Sequence, residues 1–551
     1  MRRLLAAAAI VGLVAGGVTA AAGATADPVR SKPGYRTVDW GKCTDPTLLA
    51  KAAECGYVTV PLDYADPTGK TIELAVSRIK HTVPAAEYQG VMLVNPGGPG
   101  GSGLRLSVLG ALVPERAGAA YDWIGFDPRG VGASRPMLTC DAKYFGYDRP
   151  GYVPSTPEIE WTWRVKAAGY AKACAKAGGA LLDHLRTTDT ARDMESIRRA
   201  LGQEQINFYG FSYGTYLGQV YATMFPSRVR RMVLDGNVDP RHVWYDSNLK
   251  QDVAFDRNMT VYFGWLAKYD SYYHLGKSAA AVRKLFYATQ ATLGRKAAGG
   301  VIGPDELTDV FLQAGYYIFG WQDVADAFVA WVRRNDPSKL KALYDKSQPQ
   351  THGSDNGYAV YLAVQCTDAQ WPRSWRTWTR DNWRVHRRAP FETWGNAWYN
   401  APCRNWAGTP GTPIEVDGSR VPPILLISET KDAATPYAGS LEVRKRFPRS
   451  ALIEGVGGTT HASSLFGGAC VDGAVARYLA TGALPRRVRA DRSDQRCQPL
   501  PKPDPTKSKH VESAGGAPVS GPWPPRRWPA AAGSPGSAPA AGPGAAAGRA
   551  G

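Results

Sequence analysis

Residues Ile206-Asn207-Phe208-Tyr209-Gly210-Phe211-Ser212-Tyr213-Gly214 form a short β-type run that ends in G-x-S-x-G. Helix-compatible sequence follows at once, from Tyr213 to about Phe225, with Pro226 closing it. A serine on so tight a turn between strand and helix needs small neighbours, because a side chain at Gly210 or Gly214 would meet the crossing backbone. Such a turn lifts the Ser212 hydroxyl above the sheet. The helix that begins there points its positive end at any anion forming on a bound acyl group. With 60 glycines in 551 residues, one G-x-S-x-G carries modest weight alone, so the flanking segments decide.

Upstream, Gly90-Val91-Met92-Leu93-Val94 predicts a buried strand that runs into Asn95-Pro96-Gly97-Gly98-Pro99-Gly100-Gly101-Ser102-Gly103, a loop rich enough in glycine to turn bare N–H groups toward a ligand. Acyl transfer needs two donors on the tetrahedral oxyanion, one from the amide after the nucleophile and one from a glycine loop after an earlier strand. Here those are Tyr213 and Gly98. Two more strands frame the pair: Tyr121 to Phe126, leading into Asp127-Pro128-Arg129-Gly130, and Arg231 to Leu234, leading into Asp235-Gly236.

A serine nucleophile also needs a base and an orienting acid, which follow it here in the order Ser, Asp, His. Pro422 to Ser428 is an apolar strand, and the loop after it carries Asp432, the expected acid. Glu429, nearer the strand end, is its rival. Ala451 to Val456 is the next strand, and its exit Gly457-Gly458-Thr459-Thr460-His461 places the expected base, His461. The other seven histidines lack a strand-to-loop position after the acid. This order predicts an α/β-hydrolase fold. Between Pro240 and about Gly418 the strand rhythm gives way to helical stretches such as Ala279 to Leu293, Pro304 to Ala314 and Trp321 to Arg334. The expected organisation is a signal peptide at 1–26, core at 27–240, an inserted helical cap at 241–418, core again at 419–498, and a Pro/Ala/Gly-rich tail at 499–551. The cap holds 11 of the 17 tryptophans, read mainly as packing residues, with some left to line a cleft.

The run from Thr187-Thr188-Asp189-Thr190-Ala191-Arg192-Asp193, through Gly210-Phe211-Ser212-Tyr213-Gly214-Thr215-Tyr216, to Leu234-Asp235-Gly236-Asn237-Val238-Asp239-Pro240 resembles the secreted tripeptidyl aminopeptidases of Streptomyces-type bacteria. These are α/β-hydrolase serine peptidases related to proline iminopeptidases. The resemblance covers roughly residues 35 to 500, with two departures: the histidine loop reads Gly457-Gly458-Thr459-Thr460-His461 where the family has Gly-x-Gly-His, and the N-terminal segment lacks the lipoprotein cysteine that some relatives carry. It implies peptide substrates and cleavage from a free N-terminus; the sequence itself holds no phosphate loop and no cofactor fingerprint, so no cofactor is expected. The resemblance also implies a cap carboxylate for the substrate ammonium, for which Asp368, in Gln365-Cys366-Thr367-Asp368, is the candidate. The same machinery would serve a secreted carboxylesterase or lipase, and only the cap decides between them. A non-catalytic wall-binding protein on this scaffold is disfavoured because no triad position is missing.

Arg2-Arg3, an apolar stretch from Leu4 to about Val18, and Ala24-Thr25-Ala26 before Asp27 make a signal peptide, cleaved near Ala26. The residues around the arginine pair do not complete a twin-arginine motif, so the general secretory route is expected. No second run of about eighteen apolar residues follows, so no membrane span is expected. The eight cysteines, Cys43, Cys55, Cys140, Cys174, Cys366, Cys403, Cys470 and Cys497, lack C-x-x-C spacing, which argues against a metal site. They fall as successive neighbours, and nearest-neighbour pairing is the expectation among the many pairings open to eight. Each such bridge stabilises a chain by roughly 3 kcal/mol if unstrained. The net charge of +18 does not argue for nucleic acid: from Arg486 to Gly551 there are 11 Lys or Arg against 4 Asp or Glu, so +7 belongs to the end of the chain. Weak association with an anionic cell wall is one reading of that charge; a solvated tail without a partner is the favoured one.

Overall fold

The structure, a computed structural model, describes residues 37–147 and 149–507. The predicted signal peptide with its cleavage point near Ala26, and residues 508–551 of the predicted tail, lie outside the described residues. Ten strands form one sheet: β1 (Gly41–Lys42), β2 (Glu54–Pro61), β3 (Thr71–Ile79), β4 (Val91–Asn95), β5 (Asp122–Phe126), β6 (Ile206–Phe211), β7 (Val229–Asp235), β8 (Leu425–Glu429), β9 (Ala451–Gly455) and β10 (Gln495–Cys497). Their order is β1-β2-β3-β5-β4-β6-β7-β8-β9-β10. The first three pairings, ending with β3 on β5, are antiparallel, and all the others are parallel. Every residue of β4, β6 and β8 is buried, as expected of parallel strands covered by helices on both faces.

This is the α/β-hydrolase fold. The sheet puts the carboxyl ends of β4, β6, β7, β8 and β9 at one edge, so the loops after them meet. The antiparallel strands β1 to β3 carry only partial burial and weak alternation, which is why periodicity in the sequence passes over them.

Between β7 and β8 the described chain is helical and has two parts. Helices Tyr245–Lys268, Ala279–Arg295, Pro304–Tyr316 and Trp321–Arg334 share a core of their own around Phe263, Phe286, Phe311 and Trp321. Helices Asn356–Asp368, Trp375–His386 and Thr393–Asn400 instead bury Trp371, Trp378, Trp394 and Trp398 in the same core as the sheet. There Trp398 stacks on Trp163 of helix Pro157–Gly178, with ring centroids 5.7 Å apart and planes 7° from parallel. The tryptophan-rich stretch therefore packs onto the body of the molecule.

Disulfides join Cys43 to Cys55, Cys140 to Cys174, Cys366 to Cys403 and Cys470 to Cys497. Residues 499–507, which composition assigns to the tail, are packed segments: Leu500 lies against the helical core, Lys502 over the Trp321 ring, and Trp265 Nε1–H donates to Pro503 O at 2.8 Å. Proline at four of these positions marks an end to regular structure but does not prevent docking, so the packed body ends later than composition implies. Among the described residues no helix is long and apolar enough to cross a membrane.

Candidate active site

Ser212 sits between β6 and helix Tyr213–Met224 with φ 57° and ψ −128°, in a region that residues with side chains rarely occupy. Its neighbours have no room for a side chain. A Cβ on Gly210 would lie 2.5 Å from Gly214 O, and one on Gly214 would lie 2.7 Å from Asn95 O. Ser212 N–H donates to Asp235 O at 3.0 Å, which hangs the turn on β7.

The glycine loop after β4 lies directly against this turn. A Cβ on Gly97 would fall 2.5 Å from Phe211 O and 2.8 Å from Tyr213 N, and Gly97 has φ +91°. Gly97 N–H is committed to Asn95 Oδ1 at 2.9 Å, and the next residue, Gly98, has φ +113°. Farther along the loop, Asp127 accepts from Ser102 Oγ at 2.5 Å and from Gly103 N at 2.9 Å. Burial raises the Asp127 pKa to about 6 against these donors.

Asp432 and His461 meet after β8 and β9. His461 Nδ1 is 2.8 Å from Asp432 Oδ2, and both side chains are buried. Thr435 N–H donates to Asp432 Oδ1 at 3.0 Å and Thr435 Oγ1 donates to Oδ2 at 2.8 Å, so the carboxylate cannot rotate away. With Nδ1–H on the carboxylate, Nε2 carries the lone pair, and it has no hydrogen-bond partner among the described residues. Burial alone would lower the imidazole pKa; Asp432 and then Asp235 outweigh it and hold it above the ordinary histidine value. The ring lies beside Gly236, where a Cβ would be 3.1 Å from His461 Cε1. His461 N–H donates to Tyr316 O at 2.9 Å, tying the loop to the helical insertion.

Glu429 takes no part in the imidazole contact. It is 2% exposed, packed against Gly455 and Gly458, and burial raises its pKa to about 8, opposed by Ser463. Asp368 lies behind the elbow: its partner Thr187 Oγ1 is 2.8 Å from Tyr213 OH, and after burial its charge is the strongest influence raising the Tyr213 hydroxyl. Asp368 is 6% exposed, and both oxygens accept from internal donors: Thr187 N at 2.7 Å, Thr187 Oγ1 at 2.6 Å and Trp244 Nε1 at 3.1 Å. With these bonds Asp368 braces helix Thr187–Ala200 against the insertion.

Another acidic pair lies near the centre, and no sequence signal marks it. Asp252 is buried, bonded by Asn396 Nδ2 at 2.8 Å, and burial raises its pKa to about 8. Glu392 Oε2 is buried without a partner, and burial, then Asp252 and Asp309, raise its pKa well above the usual carboxylate range. Among the described residues neither carboxylate has a cationic partner. After burial, Glu392 is the strongest influence raising the Tyr316 hydroxyl, and it also acts on Tyr361 and Tyr399. Tyr316 lies 6.0 Å from the His461 ring, centroid to centroid, and Tyr361 N lies 3.1 Å from where a Gly100 Cβ would be. Glu392 thus acts on tyrosines that adjoin the histidine and the glycine loop.

The chain is similar to known proteins over most of its length. Residues 90–285 match the α/β-hydrolase fold family, and residues 389–507 match the family described as TAP-like protein. The chain is 43% identical over 481 residues to a tripeptidyl aminopeptidase of Streptomyces lividans, covering 85% of this chain and 88% of that protein. It is 31% identical over 516 residues to the serine protease Hip1 of Mycobacterium tuberculosis, covering 88% and 96%, and 32% identical over 509 residues to carboxylesterase B of the same species, covering 86% and 95%. The chain is a serine hydrolase of the α/β-hydrolase fold and belongs to the tripeptidyl aminopeptidase family.

Proposed function

We propose that this protein is an exported serine aminopeptidase that releases short peptides, tripeptides foremost, from free N-termini through an acyl-enzyme on Ser212. The observation that carries the reading is the pair Asp252 and Glu392, buried without a cation among the described residues, with Glu392 acting on Tyr316, whose ring lies 6.0 Å from that of His461. Buried carboxyl groups without a cation keep their protons, and a ligand ammonium lets them ionise and pair with it; an ester substrate brings no such charge. The tripeptidyl aminopeptidase relative supports the peptide substrate class. The signal segment and the four disulfides support export.

In this reading Ser212 Oγ attacks the scissile carbonyl while His461 Nε2 takes its proton, and the tetrahedral oxyanion accepts from Gly98 and Tyr213 N–H. The C–N bond then breaks as His461 returns the proton to the leaving amine. Water, deprotonated by the same nitrogen, attacks the acyl carbon, and the proton goes back to Ser212 as the peptide leaves with a free carboxylate. Asp432 keeps the imidazole in the tautomer this cycle needs.

The second reading, a carboxylesterase, is favoured by the relative named carboxylesterase B. A substrate panel separates them. A tripeptide chromogenic amide with a free N-terminus is expected to be cleaved far faster than its acetylated form, by roughly 2–5 kcal/mol in transition-state binding by analogy with truncated buried charge pairs. Glu392→Gln is expected to narrow that gap. Equal rates on free and blocked peptides, with faster turnover of simple acyl esters, would favour the esterase.

A further inference from the structure

We propose that Asp235 is a positioning residue for His461, tying the histidine loop to the strand beside the nucleophile and setting a second carboxylate next to the imidazole that Asp432 holds. The inference rests on the Ser212, Asp432 and His461 reading. Asp235 is the last residue of β7 and pairs in register with Phe211, the residue before the nucleophile. Its backbone oxygen takes the Ser212 N–H at 3.0 Å. Its side chain reaches the other half of the site: Oδ2 accepts from Ser464 N at 2.8 Å and Ser464 Oγ at 2.5 Å. Ser464 Oγ lies 2.7 Å from Tyr209 OH, so the loop three residues after His461 is fastened to β6 and β7 together. One residue thus fixes the nucleophile through its main chain and the base through its side chain.

Fastening a loop needs only an acceptor, which an amide would supply. A carboxylate here adds charge. Asp235 is 1% exposed, its donors are neutral, and Oδ1 has no hydrogen-bond partner among the described residues. A charge so placed is unfavourable unless a cation is near. The titratable groups facing it are His461, Asp432, Glu429 and Tyr209, and of these only His461 forms a cation. The chain turns directly from Asp235 onto the imidazole edge at Gly236. Burial raises the Asp235 pKa to about 6, opposed by Ser464 and by His461, which leaves it ionised at neutral pH where the imidazolium must form during turnover.

The test compares Asp235→Asn and Ser464→Ala in the full chain. Two rates are followed against pH: kcat/KM on a tripeptide chromogenic amide, and inactivation by a fluorophosphonate, which does not depend on peptide specificity. In Asp235→Asn, kcat and the inactivation rate are expected to fall about tenfold or more with KM little changed. The acid limb is expected to move to lower pH, because the imidazole loses one of its two counter-charges. Ser464→Ala is expected to lower the rates with the limb unmoved, and Asp235→Glu to restore the parent limb. Where Asn at this position fails to fold, Asp235→Ser is read the same way. An unmoved acid limb on loss of the Asp235 charge would overturn the proposal even if the rate falls, since a merely structural contact lowers the rate alone. Persistence of fluorophosphonate labelling in Ser212→Ala would instead remove the triad reading, a separate result.

Discussion

Thr435 and Asp432 form a closed turn in which backbone N–H and hydroxyl each occupy one oxygen of the carboxylate that His461 touches. The acid is therefore held by its own loop. Asp432→Asn keeps the shape but presents an amide to Nδ1, which favours the wrong tautomer and is expected to lower kcat by several orders of magnitude. Thr435→Ala leaves the charge but frees the carboxylate and is expected to lower kcat by about tenfold to a hundredfold. Glu429→Gln is expected to leave turnover near that of the parent, because Glu429 is mostly protonated at neutral pH and an amide replaces it closely. Steady-state kinetics on one peptide substrate ranks the three, and the reverse order for Asp432 and Glu429 would move the acid to Glu429.

The raised His461 pKa sets a pH dependence. Catalysis needs the neutral imidazole, so activity is lost as pH falls through a value above the ordinary histidine range. The acid limb of kcat/KM is expected on the alkaline side of a free histidine. A limb on the acid side would mean that burial outweighs Asp432 and Asp235.

The parts legible in the sequence were those where chemistry and backbone coincide. The G-x-S-x-G turn, the glycine loop and the strand-to-loop placement of Asp432 and His461 follow from short local patterns, and β4 to β9 are apolar runs with clear punctuation. Asp252 and Glu392 were not legible. They lie on different helical segments about 140 residues apart and meet only after tertiary packing, with no spacing rule to join them. Proximity to a cysteine says nothing about where a carboxylate points, so the bonds from Thr187 and Trp244 to Asp368 were not legible either. Asp235 reads in the sequence only as part of a strand exit, because its partner Ser464 lies more than two hundred residues later.

Asp252 gives a stability prediction with a definite sign. Its folded pKa, about 8, lies above the ordinary carboxylate value, so between the two the folded protein holds a proton that the unfolded chain releases. This group therefore destabilises the fold progressively as pH rises from the ordinary value toward 8. Asp252→Asn, which can still accept from Asn396, is expected to raise Tm at pH 7 to 8, with the gain fading toward pH 4. The same substitution is expected to raise KM for a free N-terminus and leave an acetylated peptide unaffected. A Tm difference independent of pH would show that Asp252 ionises normally in the folded protein.

The last prediction concerns the segment after Cys497. Leu500 packs against Phe- and Trp-rich helices, Pro503 O accepts from Trp265, and Pro499 Cβ lies 2.7 Å from where a Gly458 Cβ would be, in the loop that leads to His461. A chain ending at Lys507 keeps all of these contacts; a chain ending at Gln498 loses them while keeping the Cys470 to Cys497 bridge. Partial burial of Leu500 and one hydrogen bond together are worth about 2 kcal/mol. The shorter chain is therefore expected to melt lower than the longer one. Because the lost segment backs the histidine loop, kcat is expected to fall with it while KM changes little. Equal melting and equal kcat in the two truncated chains would mean that residues 499–507 rest on the body without supporting it.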